Sequence, residues 1–177
     1  WDIAAAKEIC TFAEGNESVT CAAFSPDGRH VASAGFDFVV HVWGATTAQQ
    51  IQVPKGHEWP IFDIAFSPNG RQIVSCSGDS TVLVSDWTSG QTSILEPRHA
   101  ARVVDVAFSR DGTALASASW DRTVKVWDTA TWKLLHDLSD PTGAVQCVTF
   151  GVDARRIAWG STDGTVKGWD GPGTETH

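Results

Sequence analysis

Apolar and polar residues alternate over short runs that are broken by turn formers, as in VVDVAFSRDG, then TALASASWD, then RTVKVW, then the more variable TWKLLHDL. Alternation with period two and an excess of β-branched residues predict half-buried strands. Pro26-Asp27-Gly28, Pro68-Asn69-Gly70 and Arg110-Asp111-Gly112 predict hairpin turns between them. The fourth equivalent place reads Val152-Asp153-Ala154, so that turn loses its glycine and is expected to be less regular. No stretch combines a sustained helical period with capping residues, which predicts few helices.

The pattern is periodic on a larger scale, and such repeats decide the architecture before any local feature does. Phe24, Phe66, Phe108 and Phe150 stand 42 residues apart, and so do Asp37, Asp79, Asp121 and Asp163. Trp1, Trp43, Trp127 and Trp169 follow the same period, with Ser85 in the remaining place. The array therefore covers residues 1–170, in units of approximately 3–44, 45–86, 87–128 and 129–170. The polar tail 171–177, rich in Gly, Pro and Thr, is expected to be disordered.

Each unit carries a recognisable set of marks: Gly56-His57 before a first strand, Phe-Ser-Pro-Asp-Gly after it, and Asp121-Arg-Thr-Val-Lys-Val-Trp-Asp128 at the end of the best copy. Together they resemble the WD-repeat family of β-propellers, over nearly the whole chain. The resemblance implies an all-β fold, a propeller of four blades that are each a four-stranded antiparallel sheet. It also implies a hydrogen-bonded tetrad of His, Ser or Thr, Asp and Trp in each blade. Unit 3 has all four, as His99, Ser117, Asp121 and Trp127, and unit 2 has His57, Ser75 and Asp79 but Ser85 for Trp. Unit 1 has Ser33, Asp37 and Trp43 with Gly15 in the His place, while unit 4 has Asp163 and Trp169 with Pro141 and Trp159 for His and Ser.

The register of the repeat leaves residues 3–13 as an outer strand without a blade of its own and the last blade without its outer strand. Four blades lie at the low edge for propellers, and an open strand edge is an aggregation liability. Two expectations follow. The chain, which has no Met, is a segment of a longer one, or two copies exchange terminal strands and close an eight-bladed ring as a homodimer.

Charge narrows the partners. A formal charge of −8 with 13 Lys and Arg disfavours nucleic acid, whose binding draws on clustered cations. The sequence has neither a run of about 20 apolar residues nor a signal-peptide layout, so no membrane role and a cytoplasmic, reducing setting are expected. Cys10, Cys21, Cys76 and Cys147 are scattered and read as reduced, buried thiols, and the six His form no metal-ligand pair, so no metal and no cofactor are expected. Asp63 and Asp105 fall in the middle of inner strands, where Cys21 and Cys147 stand in the other units. A carboxylate there requires water or a neighbouring donor. Ser117, His99 and Asp121 also suit a nucleophilic trio, but partial copies in other units favour a structural network over an enzyme.

By resemblance, partners dock on the face formed by the loops before the first strand and between the second and third. Its candidates are Glu17, Trp59 and Arg102 from the first set and Phe36 and Trp120 from the second, aromatic and Arg types that dominate binding hot spots. Trp87 and Trp132 fall toward the opposite face, where they are expected to staple blade edges. The function expected is a non-catalytic scaffold for protein or peptide. The rivals are a regulatory or sensing segment of a larger signalling protein, such as a kinase or nucleotide-binding receptor, and a trimmed or designed propeller fragment.

Overall fold

The computed structural model describes residues 17–52, 56–140, 142–152 and 154–171, with Ala4, Lys7, Glu8, Thr11 and Phe12 upstream. Among them the regular structure is all β, in four sheets of consecutive antiparallel strands. Blade 1 is β1 (Val19–Phe24), β2 (His30–Gly35), β3 (His41–Gly44) and β4 (Gln50–Gln52). Blade 2 is β5 (Ile61–Phe66), β6 (Gln72–Ser77), β7 (Val82–Asp86) and β8 (Gln91–Ile94). Blade 3 is β9 (Val103–Phe108), β10 (Ala114–Ser119), β11 (Thr123–Asp128) and β12 (Leu134–Ser139). Blade 4 has three strands among the described residues, β13 (Val145–Phe150), β14 (Arg156–Ser161) and β15 (Val166–Asp170). The outer strand expected at residues 3–13, and the tail beyond Gly171, lie largely outside the described residues.

The first hairpin of blades 1 to 3 turns through a glycine at positive φ, Gly28, Gly70 and Gly112, whose amides donate to Ser25, Ser67 and Ser109. In blade 4 Ala154 takes that conformation, and its amide reaches the Gly151 carbonyl only at 3.4 Å, against 2.7–2.9 Å in the other three. A Cβ at positive φ is the cause of the looser turn.

Simple alternation fails at one place in every blade. Near the start of each first strand the register slips by one residue, between Val19 and Cys21, Ile61 and Asp63, and Val145 and Cys147, and opposite Ala118 and Ser119 in blade 3. A bulge of this kind re-aims the side chains that follow it. It lets Ile61, Ile64 and Phe66 bury on one face although their spacing is not even throughout.

The core is a set of joints between blades. Ala32, Ala34, Val40 and Val42 of blade 1 receive Ile61, Ile64, Phe66 and Ile73 of blade 2. The equivalent trailing face of blade 2 receives Val103, Val106, Leu115 and Trp127, and that of blade 3 receives Val145, Val148 and Ile157. Two faces are left over. On blade 1 the leading face is open: Val19 is 66% and Phe24 68% exposed, where Ile61 and Phe66 in blade 2 are 0% and 8%. On blade 4 the trailing face of Ala158, Gly160, Val166 and Gly168 is covered by no further blade among the described residues, and Val166 is exposed. A groove of about 360 Å³, lined by Phe150, Ile157, Ala158 and Trp169 among others, opens beside β15.

Candidate partner-binding face

The loops at one end of the blades are held by hydrogen bonds that recur with the repeat. The amides of Phe36, Gly78, Trp120 and Thr162, each just before the repeat's Asp, donate to the carbonyls of Ser18, Pro60, Arg102 and Ala144 at 2.9–3.0 Å. This joins the loop before the first strand to the loop between the second and third.

In blade 3 a buried network locks that joint. Trp127 Nε1–H donates to Ser117 Oγ at 3.1 Å, Ser117 Oγ meets His99 Nε2 at 2.8 Å, and His99 Nδ1 meets Asp121 Oδ2 at 2.8 Å. Because an ionised carboxylate only accepts, Nδ1 carries the proton and Nε2 accepts the serine hydroxyl's. The Ala100 amide and the Thr123 hydroxyl fill the remaining acceptor sites of Asp121. Burial alone would raise the Asp121 carboxyl, but His99, Thr123 and the Ala100 amide outweigh it and hold it well below the usual carboxylate range. Blade 2 repeats the arrangement with His57, Ser75, Asp79 and Thr81, and Asp79 is lowered for the same reasons. Ser85, in the Trp place, bonds instead to Thr92 across the β7/β8 pair.

The terminal blades rebuild the network from residues not singled out in the sequence. In blade 1 His41, on β3, supplies Nε2 to Asp37 at 2.6 Å, while Trp43 donates to Ser33 at 3.0 Å. In blade 4 a buried carboxylate replaces the histidine: Asp140 accepts from Trp159 Nε1 at 3.1 Å and from Lys167 Nζ at 2.5 Å. Thr142 bonds to both Asp140 and Asp163. Thr81, Thr123 and Thr165 share one repeat register and were discoverable from it, and Lys167 shares the register of Lys125; Asp140, one residue before the His place, breaks register and was not. Gly15 and Pro141 lie outside the described residues.

On this frame stand the predicted contact residues. Trp59 is 63% and Trp120 41% exposed, and Phe36 and Glu17 are exposed as well. The Arg102 guanidinium lies 4.0 Å over the Trp120 ring, and the Arg102 carbonyl is tied to the Ser119 hydroxyl and the Trp120 amide. Blade 2 has Gly78 in the register of Phe36 and Trp120, and the Trp59 side chain covers that glycine at 3.6 Å from where a Cβ would stand. Blades 1 to 3 thus each present an exposed aromatic side chain at the same end, blade 1 with Phe38 beside Phe36, and Thr162 takes the place in blade 4. At the other end Trp87 packs on His30 of blade 1 and Phe66 of blade 2 and donates to the Gly70 carbonyl, so it does staple two blades. Trp132 packs against the core between blades 2 and 3.

The inner carboxylates find a protein donor. Asp63 Oδ2 accepts from the Val106 amide of blade 3 at 3.1 Å, and Asp105 Oδ2 from the Val148 amide of blade 4 at 2.7 Å. Burial, followed by the Asp105 carboxyl beside it, pushes Asp63 up to about 7. Its folded form therefore holds a proton that the unfolded chain has released, so stability is fully present below the unfolded carboxyl value and falls as pH rises through the folded one. The thermal midpoint should drop from about pH 5 to about pH 8, by roughly 2–4 °C for about 1 kcal/mol after discounting for partial solvent access. Asp63→Asn should flatten that slope in melts followed by Trp fluorescence.

The expectation of four buried thiols is corrected at Cys147. Cys76 is buried and Cys21 half-buried, but Cys147 is exposed, on a face that no blade covers among the described residues. Cys10 lies outside the described residues.

These sheets, joints and loop clamps define a β-propeller arc of four blades. The WD domain, G-beta repeat profile matches residues 6–44, 48–86, 91–128 and 132–170, and the chain belongs to that family. It is similar to the computationally designed Ika4 protein, at 29% identity and TM-score 0.82, over 94% of this chain and 99% of that one. It is also similar to the WD40 repeats of RRP9, at 26% identity and TM-score 0.80, over 89% of this chain and 49% of that one. One stretch of 43 residues is 42% identical to a serine-threonine kinase receptor-associated protein of Dictyostelium discoideum, covering 24% of this chain and 15% of that protein. The chain thus spans a small part of that relative and about half of the RRP9 repeats.

Proposed function

We propose that the chain is a non-catalytic scaffold that binds a protein or peptide across the loop ends of blades 1 to 3. The observation that carries this reading is the row of exposed aromatics set by recurrent loop clamps: Phe36, Trp59, and Trp120 under Arg102. Side chains already fixed by the frame lose little freedom when a partner docks. The buried trio supports a structural role, not a nucleophilic one. Ser117 is fully buried and accepts the Trp127 N–H, so its oxygen has neither access nor a free direction of attack. Nearly the same geometry recurs at His57, Ser75 and Asp79, as a repeated structural bond would.

The test uses peptides selected from a random library against the wild-type chain. Trp59→Glu combined with Trp120→Glu should weaken them by at least about tenfold, as loss of hot-spot aromatics does. Val152→Glu, at an exposed hairpin turn, should leave them unchanged. Unaltered binding to a folded double variant would remove this face from consideration.

A second reading concerns assembly: two copies pair head to tail into an eight-bladed ring. The open leading face of blade 1 presents Val19, Ala22 and Phe24, the same kind of surface that every internal joint seats on a trailing face. The Phe12 ring lies 5.5 Å from that of Trp43, much as Leu95 shares a core with Trp127. Leu95 directly follows β8, the outer strand of the preceding blade, so Phe12 stands where the outer edge of a blade preceding blade 1 would place an apolar side chain. In a ring of two copies that edge is β15 of the partner. A stable solution mass of twice 19.0 kDa is the expected signature.

A further inference from the structure

The assembly reading has a chemical consequence at the inner strands. Cys21, Asp63, Asp105 and Cys147 occupy one register on β1, β5, β9 and β13, each directly after the bulge. Within the chain this register reaches from blade to blade. Asp63 bonds to the residue after Asp105, Asp105 bonds to the residue after Cys147, and the Asp105 carboxyl is close enough to raise that of Asp63. Side chains at this position therefore meet their counterparts one blade on. Among the described residues Cys147 has no next blade beside it. Its Sγ lies beside Gly160 on the open trailing face, 2.9 Å from where a Cβ of residue 160 would stand.

We propose that when two copies close the ring, Cys147 of each copy meets Cys21 of the other, and that oxidation joins them as an intermolecular disulfide across the seam. This rests on the head-to-tail reading above, which fixes the occupant as a second copy. The seam would carry a thiol pair at the place where the internal joint carries the Asp63–Asp105 pair.

The step balances with a small disulfide as oxidant. The Cys147 thiolate, from the more accessible thiol, attacks one sulfur of that disulfide, breaks its S–S bond and expels one thiolate. Cys21 then attacks Cys147 Sγ, forms the protein disulfide and expels the second thiolate, and the two protons from the cysteines go to the two leaving groups. Two cysteines are oxidised and the small disulfide is reduced. Burial, partly offset by Thr20, pushes the Cys21 thiol up to about 11. Its attack is therefore slow near neutrality and quickens as pH rises, because the thiolate is the nucleophile.

The experiment treats the full chain with oxidised glutathione and reads the mass on a denaturing gel without reductant, with light scattering of the untreated sample alongside. Expected are a dimer in solution, a dimeric band after oxidation that reductant removes, and faster cross-linking at higher pH. Cys21→Ser and Cys147→Ser should each abolish the band, while Cys10→Ser and Cys76→Ser keep it. If Cys21→Ser melts abnormally, Cys21→Ala serves instead. A mixture of the Cys21 and Cys147 variants, equilibrated before oxidation, should regain the band, because one seam of each mixed ring has both thiols. A dimer that does not cross-link, or a band that survives either single variant, overturns the seam pair and leaves the head-to-tail reading standing. A monomer at every dilution overturns both.

Discussion

Truncating Trp127 to Ala should cost about 3–5 kcal/mol, the usual range for emptying an aromatic site in a core. Its ring is 1% exposed and fills the joint between blades 2 and 3 with Val74, Val84, Leu95 and Val106. Its N–H also supplies the donor that orients Ser117 toward His99. Trp127→Phe separates the two contributions, since it keeps most of the buried ring and removes only the hydrogen bond, at about 1–2 kcal/mol. Trp169→Ala should cost less than Trp127→Ala, because Trp169 is only half-buried at the edge of the joint between blades 3 and 4, with His136 on its ring. Urea unfolding followed by circular dichroism measures all three. A loss below about 1 kcal/mol for Trp127→Ala would mean that the blades are not held by these joints.

The loss should also reach the binding face. Trp127, Ser117 and His99 are three links from Asp121, and Asp121 fixes the Ala100 amide two residues before Arg102. Loosening that chain frees the guanidinium that covers Trp120.

The fold was legible in the sequence because a period of 42 residues superimposes independent marks, and each has a physical reason to recur. Phe66, Phe108 and Phe150 pack on the preceding blade, Asp79 and Asp121 accept the same loop donors, and the turn glycines adopt positive φ. Periodicity marks single residues that the structure places in recurrent settings: His57 and His99 bond to Ser75 and Ser117, and Trp59 and Trp120 are exposed. It failed where the residue type changes at a repeat position. His41 reaches Asp37 from four residues on, as Lys167 reaches toward Asp163, but Leu83 and Lys125 hold that place in the other two blades. The bulges were also hidden, because an extra residue in a short strand changes which face is buried without changing composition. For the same reason Asp63 and Asp105 looked costly in the sequence, whereas the bulge aims them at amides of the next blade.

Asp140 shows how a blade without its histidine still closes its loops. Its side chain is fully buried, and it accepts from Lys167, from the Thr142 hydroxyl and amide, and from the Trp159 indole. Burial alone would raise this carboxyl, but Lys167, Thr142 and Trp159 outweigh that effect and hold it well below the usual range. Asp140→Ala should cost about 2–3 kcal/mol, less than for a wholly buried ion pair, because Lys167 can turn to water while the indole N–H is stranded. Asp140→Asn should cost less, as a carbonyl oxygen remains for Trp159 and only the charge facing Lys167 is lost. The pH profile separates this from plain packing. A depressed carboxyl contributes stability above its unfolded value of about 4, and the contribution is lost as pH falls through the folded value. The wild type should therefore lose stability in acid more steeply than Asp140→Asn, with the two curves drawing together progressively as pH falls below about 4 in urea melts. Parallel curves across that window would show that the buried charge does not hold blade 4 together.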